Sequence, residues 1–341
     1  MSESAEADAI HWRRLYPFAS HWAEVAGGRV HYLDEGPDHR VQADGQDCPS
    51  YGAEHALLFV HGNPTWSFHW RRLVEAFRGR YRCVALDHLG CGLSDKPQRL
   101  LTLDDHIENL CELVEELALD RVTLVAQDWG GAIGLGAMLR MRERLERIVL
   151  FNTGAFPPRY IPWRIRACRI PVLGRLAVQG ANLFSLAALR MTLARKSRLE
   201  PEVAAGYLAP YDSWANRCAV YGFVKDIPSP RRRVSPKLAF EIRRNSTTWQ
   251  TLEEIELKLP TLADRPSCLI WGMRDWCFRP DCLDRFVEAW PRTEVHRLAD
   301  VGHWVVEDAP EESMAIVESF LAKHSEDLPR RHEGHEEQNV T

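Results

Sequence analysis

Short apolar runs alternate with longer amphipathic stretches along most of this chain. Ala56–Val60, Arg82–Leu86, Val122–Ala126, Ile148–Phe151, Cys268–Trp271 and Glu294–Leu298 are too short for helices. Most of them carry consecutive Val, Leu, Ile or Phe without polar alternation, as strands buried on both faces do. Between them, Leu103–Leu117 places Ile107, Leu110, Val114 and Leu117 on one face, the spacing of an amphipathic helix. The alternation predicts a mostly parallel α/β sheet with helices on both faces. Ahead of it, His21–Val25 and Arg29–Leu33, joined by Gly27-Gly28, predict a two-stranded hairpin. The Asp-, Gly-, Gln-, Pro- and Ser-rich stretch Asp38–Glu54 predicts a solvated loop, and the polar ends, 1–20 and 324–341, predict flexible tails.

The pattern breaks between Phe151 and Cys268. There the chain is helix-like, punctuated by proline and richer in Arg, Trp and Tyr from Pro157 to about Pro260. Such an interruption predicts a helical cap, 156–260, inserted over the carboxyl ends of the strands, where ligands of α/β sheets bind. The core is then 21–155 and 261–323. A length of 341 residues accommodates one large α/β domain with an inserted lobe.

Composition narrows the function. A net charge of −5 with interspersed signs argues against a nucleic-acid partner, and the tract Arg231-Arg232-Arg233 beside Pro230 reads as a solvated loop. Nine cysteines, an odd set without a C-x-x-C pair, indicate neither a disulfide framework nor a zinc ribbon, and a reducing cytoplasm is the simplest compartment. The charged first residues contain no apolar signal core, and no apolar run reaches membrane-spanning length.

The chemistry concentrates at Val125-Ala126-Gln127-Asp128-Trp129-Gly130-Gly131, where a buried strand turns sharply into a helix of small residues. The small-x-nucleophile-x-Gly form matches the elbow of α/β-hydrolases, with Asp128 in the nucleophile's place. Standing alone, Asp128 is as readily an N-cap of the following helix. Three further segments in the right order favour the elbow. His61-Gly62-Asn63-Pro64-Thr65 follows the strand that supplies a second oxyanion-hole N–H in this fold, although the same residues form ordinary turns. Asp87–Pro97 carries a Gly-x-Gly but lacks the third glycine of a dinucleotide loop, and reads as a structural border of the site. His303, in Gly302-His303-Trp304 after the last strand, is the candidate base, whereas His69, His106 and His296 read as surface or partly packed residues. The acid could follow the strand ending near Phe151 or that ending near Trp271. Asn152 and Thr153 offer none, so Asp275 is taken by elimination, with Asp281 and Asp300 as weaker alternatives.

An aspartate nucleophile is already anionic at neutral pH, and it can displace a leaving group from saturated carbon to form an alkyl ester of the enzyme. A histidine can then activate water, while backbone N–H groups near Asn63 and Trp129 hold an oxyanion. The Asn63 amide and the Trp129 indole are candidate donors to the departing anion. No metal-ligand spacing is visible, and neither metal nor cofactor is expected.

These residues resemble the haloalkane dehalogenase group of the α/β-hydrolase superfamily. The resemblance is to its third subfamily and to the cis-β-lactone decarboxylases of bacterial long-chain olefin synthesis within it. It spans about Arg29 to Leu321 and rests on His61–Thr65, Asp87–Pro97, Asp128–Gly131, Asp275 and Gly302-His303. It implies an α/β-hydrolase fold, with Asp128 as nucleophile, Asp275 as relay acid, His303 as base, and Asn63 and Trp129 as leaving-group donors. Pro162-Trp163-Arg164, Asn182-Leu183-Phe184, Tyr211–Arg217 and Asp226-Ile227-Pro228 look like the decarboxylase cap. Decarboxylation of a long-chain cis-β-lactone to a cis-alkene is the activity this implies, with haloalkane hydrolysis as the alternative. The implied partners are a small hydrophobic substrate and other olefin-biosynthesis enzymes. Gln127 departs from the family, which usually has His before the nucleophile. Epoxide hydrolases share the Asp elbow, but Asn63 stands against that reading while Tyr207, Tyr211 and Tyr221 keep it open. A non-catalytic scaffold is the remaining class. Apolar cap residues among Arg164, Arg166, Arg169 and Arg175 fit a lipid channel beside a membrane surface, or equally a packed lobe with solvated arginines.

Overall fold

The computed structural model describes residues 12–37, 55–195, 198–229 and 247–325. The loop expected over Asp38–Glu54 and the tract Arg231-Arg232-Arg233 lie outside the described residues.

Eight strands form one sheet: β1 (His21–Val25), β2 (Gly28–Glu35), β3 (His55–Val60), β4 (Arg82–Leu86), β5 (Arg121–Asp128), β6 (Leu145–Thr153), β7 (Ser267–Gly272) and β8 (Glu294–Leu298). Their order is β1-β2-β4-β3-β5-β6-β7-β8. The hairpin β1–β2 and the pair β2–β4 are antiparallel and all other pairs parallel. Unbroken apolar runs make the central strands two-faced. Leu58 and Val60 of β3 join a core with α2 (Leu103–Glu116) and α3 (Trp129–Arg140), whereas Leu57 and Phe59 join a second core on the other side with α1 (Arg71–Phe77) and the C-terminal helix Pro310–Lys323. Thr102 caps α2 through a capping box, its hydroxyl accepting from the Asp105 N–H while Asp105 accepts from the Thr102 N–H.

Two expectations change. Residues 12–20, read as part of a flexible tail, pack down. Trp12 and Tyr16 are buried, Trp12 meets Trp66 edge-on at 5.6 Å, and the Tyr16 hydroxyl bonds Ser67 at 2.5 Å. The aromatic residues outweigh the polar composition around them. The second change concerns the helix Thr247–Lys258, placed by sequence in the cap. Its Leu252 and Ile255 belong to the core cluster of α2 and α3, so it packs on those two helices.

The rest of the excursion between β6 and β7 is made of short pieces. They are α4 (Trp163–Cys168), the turns Leu173–Arg175 and Leu176–Gly180, α5 (Leu183–Met191), α6 (Pro201–Leu208) and α7 (Cys218–Asp226). Among the described residues no helix is long and apolar enough to cross a membrane.

Candidate active site

The chain bends at Asp128. There the β5–β6 register shifts between Gln127 and Asp128, and Asp128 takes φ 54° and ψ −129°, a region that side chains rarely occupy. Three glycines make room for the bend. A methyl group on Gly62 would lie 2.3 Å from the Asp128 carboxylate, one on Gly130 2.1 Å from the Val60 carbonyl, and one on Gly131 2.0 Å from the Thr153 hydroxyl. The hydroxyl of Thr153 donates to the Asp128 carbonyl at 2.5 Å and so ties the elbow to β6. The Asp128 side chain makes no helix-capping hydrogen bond, which removes the N-cap reading.

The carboxylate has two distinct oxygens. Oδ1 accepts the backbone N–H of Asn63 at 2.8 Å, and the backbone N–H of Trp129 also favours the charged carboxylate. Oδ2 lies 3.6 Å from Nε2 of His303. On the far side of the ring, Nδ1–H of His303 donates to Oδ2 of Asp275 at 2.7 Å, which leaves Nε2 directed at Asp128. Phe278 stacks on the imidazole at 5.6 Å. Burial raises the Asp128 carboxyl above its usual value, opposed by His303 and the two N–H groups. For His303, burial disfavours the charged ring, but the neighbouring Asp275 and Asp128 outweigh it and raise the ring above its ordinary value.

The structure thus brings Asp128, Asp275 and His303 together. The two weaker acids are elsewhere: Asp300 is exposed and pairs with Arg195 at 2.8 Å, and Asp281 sits at the pocket edge with Arg279 at 3.4 Å. Asn63 and Trp129 both line the pocket, but the Asn63 amide donates to the Val220 carbonyl at 3.2 Å and its Oδ1 is buried without a partner. Its backbone N–H, rather than its side chain, makes the contact with Asp128.

Three supporting residues escaped sequence reasoning. Asn152, passed over for offering no acid, holds the acid instead. Its Nδ2 donates to Asp275 Oδ2 at 3.0 Å and to the Gly272 carbonyl at 3.0 Å, while its Oδ1 accepts from the Gly272 N–H at 2.7 Å. The Cys277 N–H completes the fixation at Asp275 Oδ1, 2.6 Å away. Asn152 is the penultimate residue of β6, the strand beside β7, so its place near Asp275 was a usable signal. Gln127 bridges two loops: Nε2 donates to the His303 carbonyl and Oε1 accepts from Nε2 of His69. His69, expected to be a surface or partly packed residue, is fully buried and also bonds the Tyr207 hydroxyl at 2.7 Å. His106 is likewise buried, stacked on Phe223 at 4.4 Å. These rings were misread because their partners, Gln127 and Tyr207 for one and Phe223 for the other, are remote in sequence.

Above the triad lies a cavity of about 510 Å³, walled largely by apolar side chains such as Phe156, Ile161, Ile165, Phe184 and Val224. Tyr207, Tyr211 and Tyr221 are buried away from its lining. The Tyr207 hydroxyl bonds Glu307 at 2.7 Å and that of Tyr211 bonds the Thr65 carbonyl at 3.1 Å, so neither stands as an acid for an epoxide oxygen. Among the described residues no cluster of His, Cys, Asp and Glu could hold a metal ion. Asp87, in the loop read as structural, accepts from the Ser67 and Leu93 N–H groups at 2.6 and 2.7 Å and from His31 at 2.8 Å.

The chain matches the α/β-hydrolase-fold family over residues 55–310. It is 34% identical over 316 residues to a cis-3-alkyl-4-alkyloxetan-2-one decarboxylase of Shewanella oneidensis, covering 91% of this chain and 90% of that one. It is 32% identical over 312 residues to haloalkane dehalogenase 2 of Mycobacterium tuberculosis, covering 90% and 96%. Among solved structures, the haloalkane dehalogenase DbeA from Bradyrhizobium elkani superposes with a TM-score of 0.76 at 23% identity, covering 91% of this chain and 100% of that one.

Proposed function

The chain belongs to the α/β-hydrolase fold family and is an enzyme, and we propose that it decarboxylates cis-3,4-dialkyl β-lactones to cis-alkenes with Asp128 as nucleophile. The observation that carries this reading is the split environment of the Asp128 carboxylate beneath an apolar cavity. One oxygen is held by the Asn63 backbone N–H and the other faces His303 at 3.6 Å. The likeness to a named oxetanone decarboxylase over nine-tenths of the chain supports the choice of substrate.

In the proposed route, Oδ2 of Asp128 attacks the ring carbon that bears oxygen. A carbon–oxygen bond forms with inversion as the ring carbon–oxygen bond breaks, and the ring oxygen leaves as a carboxylate on the adjacent carbon. That carboxylate departs as carbon dioxide. The electrons of its carbon–carbon bond form the alkene, and the ester bond to Asp128 breaks, regenerating the free carboxylate. An anti arrangement gives the cis product. No water or proton is consumed. His303, raised by its two carboxylate neighbours, supplies positive charge beside the carboxylate that forms, with Asp275 orienting it. Asn63 and Trp129 border the cavity where that anion forms. The eight described cysteines are free thiols, which supports a reducing, cytoplasmic setting.

Haloalkane hydrolysis is the second reading, favoured by the dehalogenase relative and by an Nε2 placed to activate water against an Asp128 ester. Turnover in ¹⁸O-labelled water, with a β-lactone and a haloalkane offered separately, distinguishes the two. The lactone reading expects alkene without label, and no label in the Asp128 peptide. Rapid alcohol formation with labelled Asp128, and no alkene, would overturn it. Asp128→Ala should be folded and inactive in either case.

A further inference from the structure

We propose that the outer face of the cap docks on an anionic lipid bilayer and that the pocket mouth opens onto this face. Large apolar side chains are left in water here on one lobe: Trp163 is 64% and Val172 70% exposed, with Leu173, Leu176, Leu183 and Leu186 between 45% and 65%. They occupy α4, the residue just ahead of the first turn, the two turns and α5, segments that touch one another, so the exposure forms one patch. A surface of this kind marks an interaction site.

The charge on the same segment is one-sided. Between Glu146 and Glu200 the chain has no acidic residue, although its net charge is −5. The same interval contains Arg159, Arg164, Arg166, Arg175 and Arg190 among other basic residues. Elsewhere exposed arginines pair with carboxylates, as Arg140 does with Asp104 at 2.5 Å and Arg80 with Glu318 at 2.7 Å. Arg164, Arg166, Arg175 and Arg190 enter no ion pair among the described residues. Arg164 instead lies over the Trp163 ring at 4.9 Å and Arg175 over Trp214 at 5.3 Å. Apolar side chains with a tryptophan, interspersed along one segment with guanidiniums that enter no ion pair among the described residues, have the composition of an interfacial membrane surface. An anionic bilayer presents one sign of charge over its whole surface. The uniform sign across the whole segment therefore favours lipid headgroups.

The patch is continuous with the cavity. Arg164, Leu173 and Leu183 belong both to the exposed face and to the pocket lining. An alkyl chain can pass from bilayer to pocket along these side chains without crossing water. This delivery role rests on the long-chain lactone reading, whereas the docking itself does not.

Flotation of the full chain with vesicles of phosphatidylcholine, alone or mixed with phosphatidylglycerol, tests the proposal. The protein should float with the anionic vesicles and be released by salt. Each arginine near an anionic surface is worth about fivefold in partitioning, so R166Q/R175Q/R190Q should weaken binding on the order of a hundredfold. V172S/L176S should weaken it through the apolar term. Both variants avoid the pocket lining and should turn over a short-chain, water-soluble β-lactone at the parent rate. A parent enzyme that floats but is inactive on that lactone refutes the substrate reading alone. Absence of flotation, or flotation indifferent to both variants, overturns the docking proposal. So does a patch that sedimentation velocity shows to be covered by a second copy of the chain.

Discussion

Replacing Asn152 by Ala measures how far the candidate site depends on a side chain outside the pocket lining. The amide makes three hydrogen bonds, to Asp275 Oδ2, the Gly272 carbonyl and the Gly272 N–H, at 3.0, 3.0 and 2.7 Å. After truncation the Gly272 carbonyl still accepts from the Asp275 N–H at 3.2 Å, and Asp275 Oδ2 still accepts from His303 at 2.7 Å. The Gly272 N–H is left buried and unpaired, at a cost of about 1–3 kcal/mol, and one bond to a carboxylate, worth about 1.5–3 kcal/mol, is lost. A destabilisation of about 2.5–6 kcal/mol should shift the urea midpoint well beyond error. For catalysis, full loss of a relay acid's function in a related triad lowers kcat by about 10⁴. Asp275 keeps its Cys277 N–H contact at 2.6 Å and its histidine, so a loss of about 10–100-fold in kcat, at nearly constant KM, is expected. Single-turnover kinetics on a β-lactone and urea melts of the same preparation are the assays. Asn152→Asp adds the signature that simple loosening would lack. It sets a second carboxyl against Asp275, the two must share a proton, and the pH–rate profile moves. Unchanged kcat in Asn152→Ala, or a pH profile unmoved in Asn152→Asp, would refute the assignment of Asn152 as the residue that positions the acid.

Acid lability follows from the buried histidines. Burial is the leading cause that holds His55, His69 and His106 down to about 3 and His61 to about 4, so the folded protein binds fewer protons than the unfolded chain between those values and about 6.5. The contribution of these four histidines to stability is therefore complete above about pH 6.5 and falls as pH drops, by about 2 kcal/mol for each at pH 5. Thermal melts across this range should show the fall, and His106→Phe, which can keep the stack on Phe223, should flatten it by about one proton. An unchanged pH slope in that variant would contradict the argument. Gln127→Leu removes the bridge between the His303 carbonyl and His69, orphaning two buried groups. It should cost about 1–3 kcal/mol for each orphaned group and lower kcat more than it raises KM, with Gln127→His recovering part of the loss. Equal kinetics for the Leu variant and the parent would show that the bridge does not position His303.

The parts of the fold written in local pattern were readable. β1, β4 and β8 have the bounds expected from sequence, and the other strands differ by a few residues at their ends; in the central strands an unbroken apolar run on a doubly covered sheet leaves little choice of conformation. The elbow was readable because its geometry admits few residue types. Gly62, Gly130 and Gly131 sit where a single added carbon would collide with Asp128, Val60 or Thr153. What stayed hidden depends on contacts between distant residues. Trp12 looked like part of a polar tail because Trp66 and Phe68, its neighbours in space, are more than fifty residues away. Thr247–Lys258 looked like cap because it follows the cap in the chain, whereas Leu252 and Ile255 pack with Ile107 of α2 and beside Gly136 of α3. Gln127 and Asn152 carry no charge, so a search for acids and bases passes over them, although each makes its functional contacts through both ends of its amide.

The same limit separates the identity of the triad from the choice of reaction. After attack by Asp128, a displaced halide is a separate ion that can diffuse away. The ester that remains has no internal group able to expel Asp128, and water activated by His303 must release it. A lactone opened by the same attack keeps its leaving group tethered one carbon from the new ester bond, and loss of carbon dioxide from it returns the electron pair that frees Asp128. One nucleophile and one histidine thus serve either outcome, and the substrate's connectivity decides which one follows. Selection between them falls to the walls of the cavity, where side chains such as Ile161, Ile165 and Phe184 come from the linker after β6 and from α4 and α5. Those elements are short and break the regular apolar periods that made the sheet legible, so the residues with most influence on substrate choice are the ones for which sequence pattern says least. Exchanging this segment, rather than any triad residue, is the perturbation expected to move the enzyme from alkene to alcohol formation.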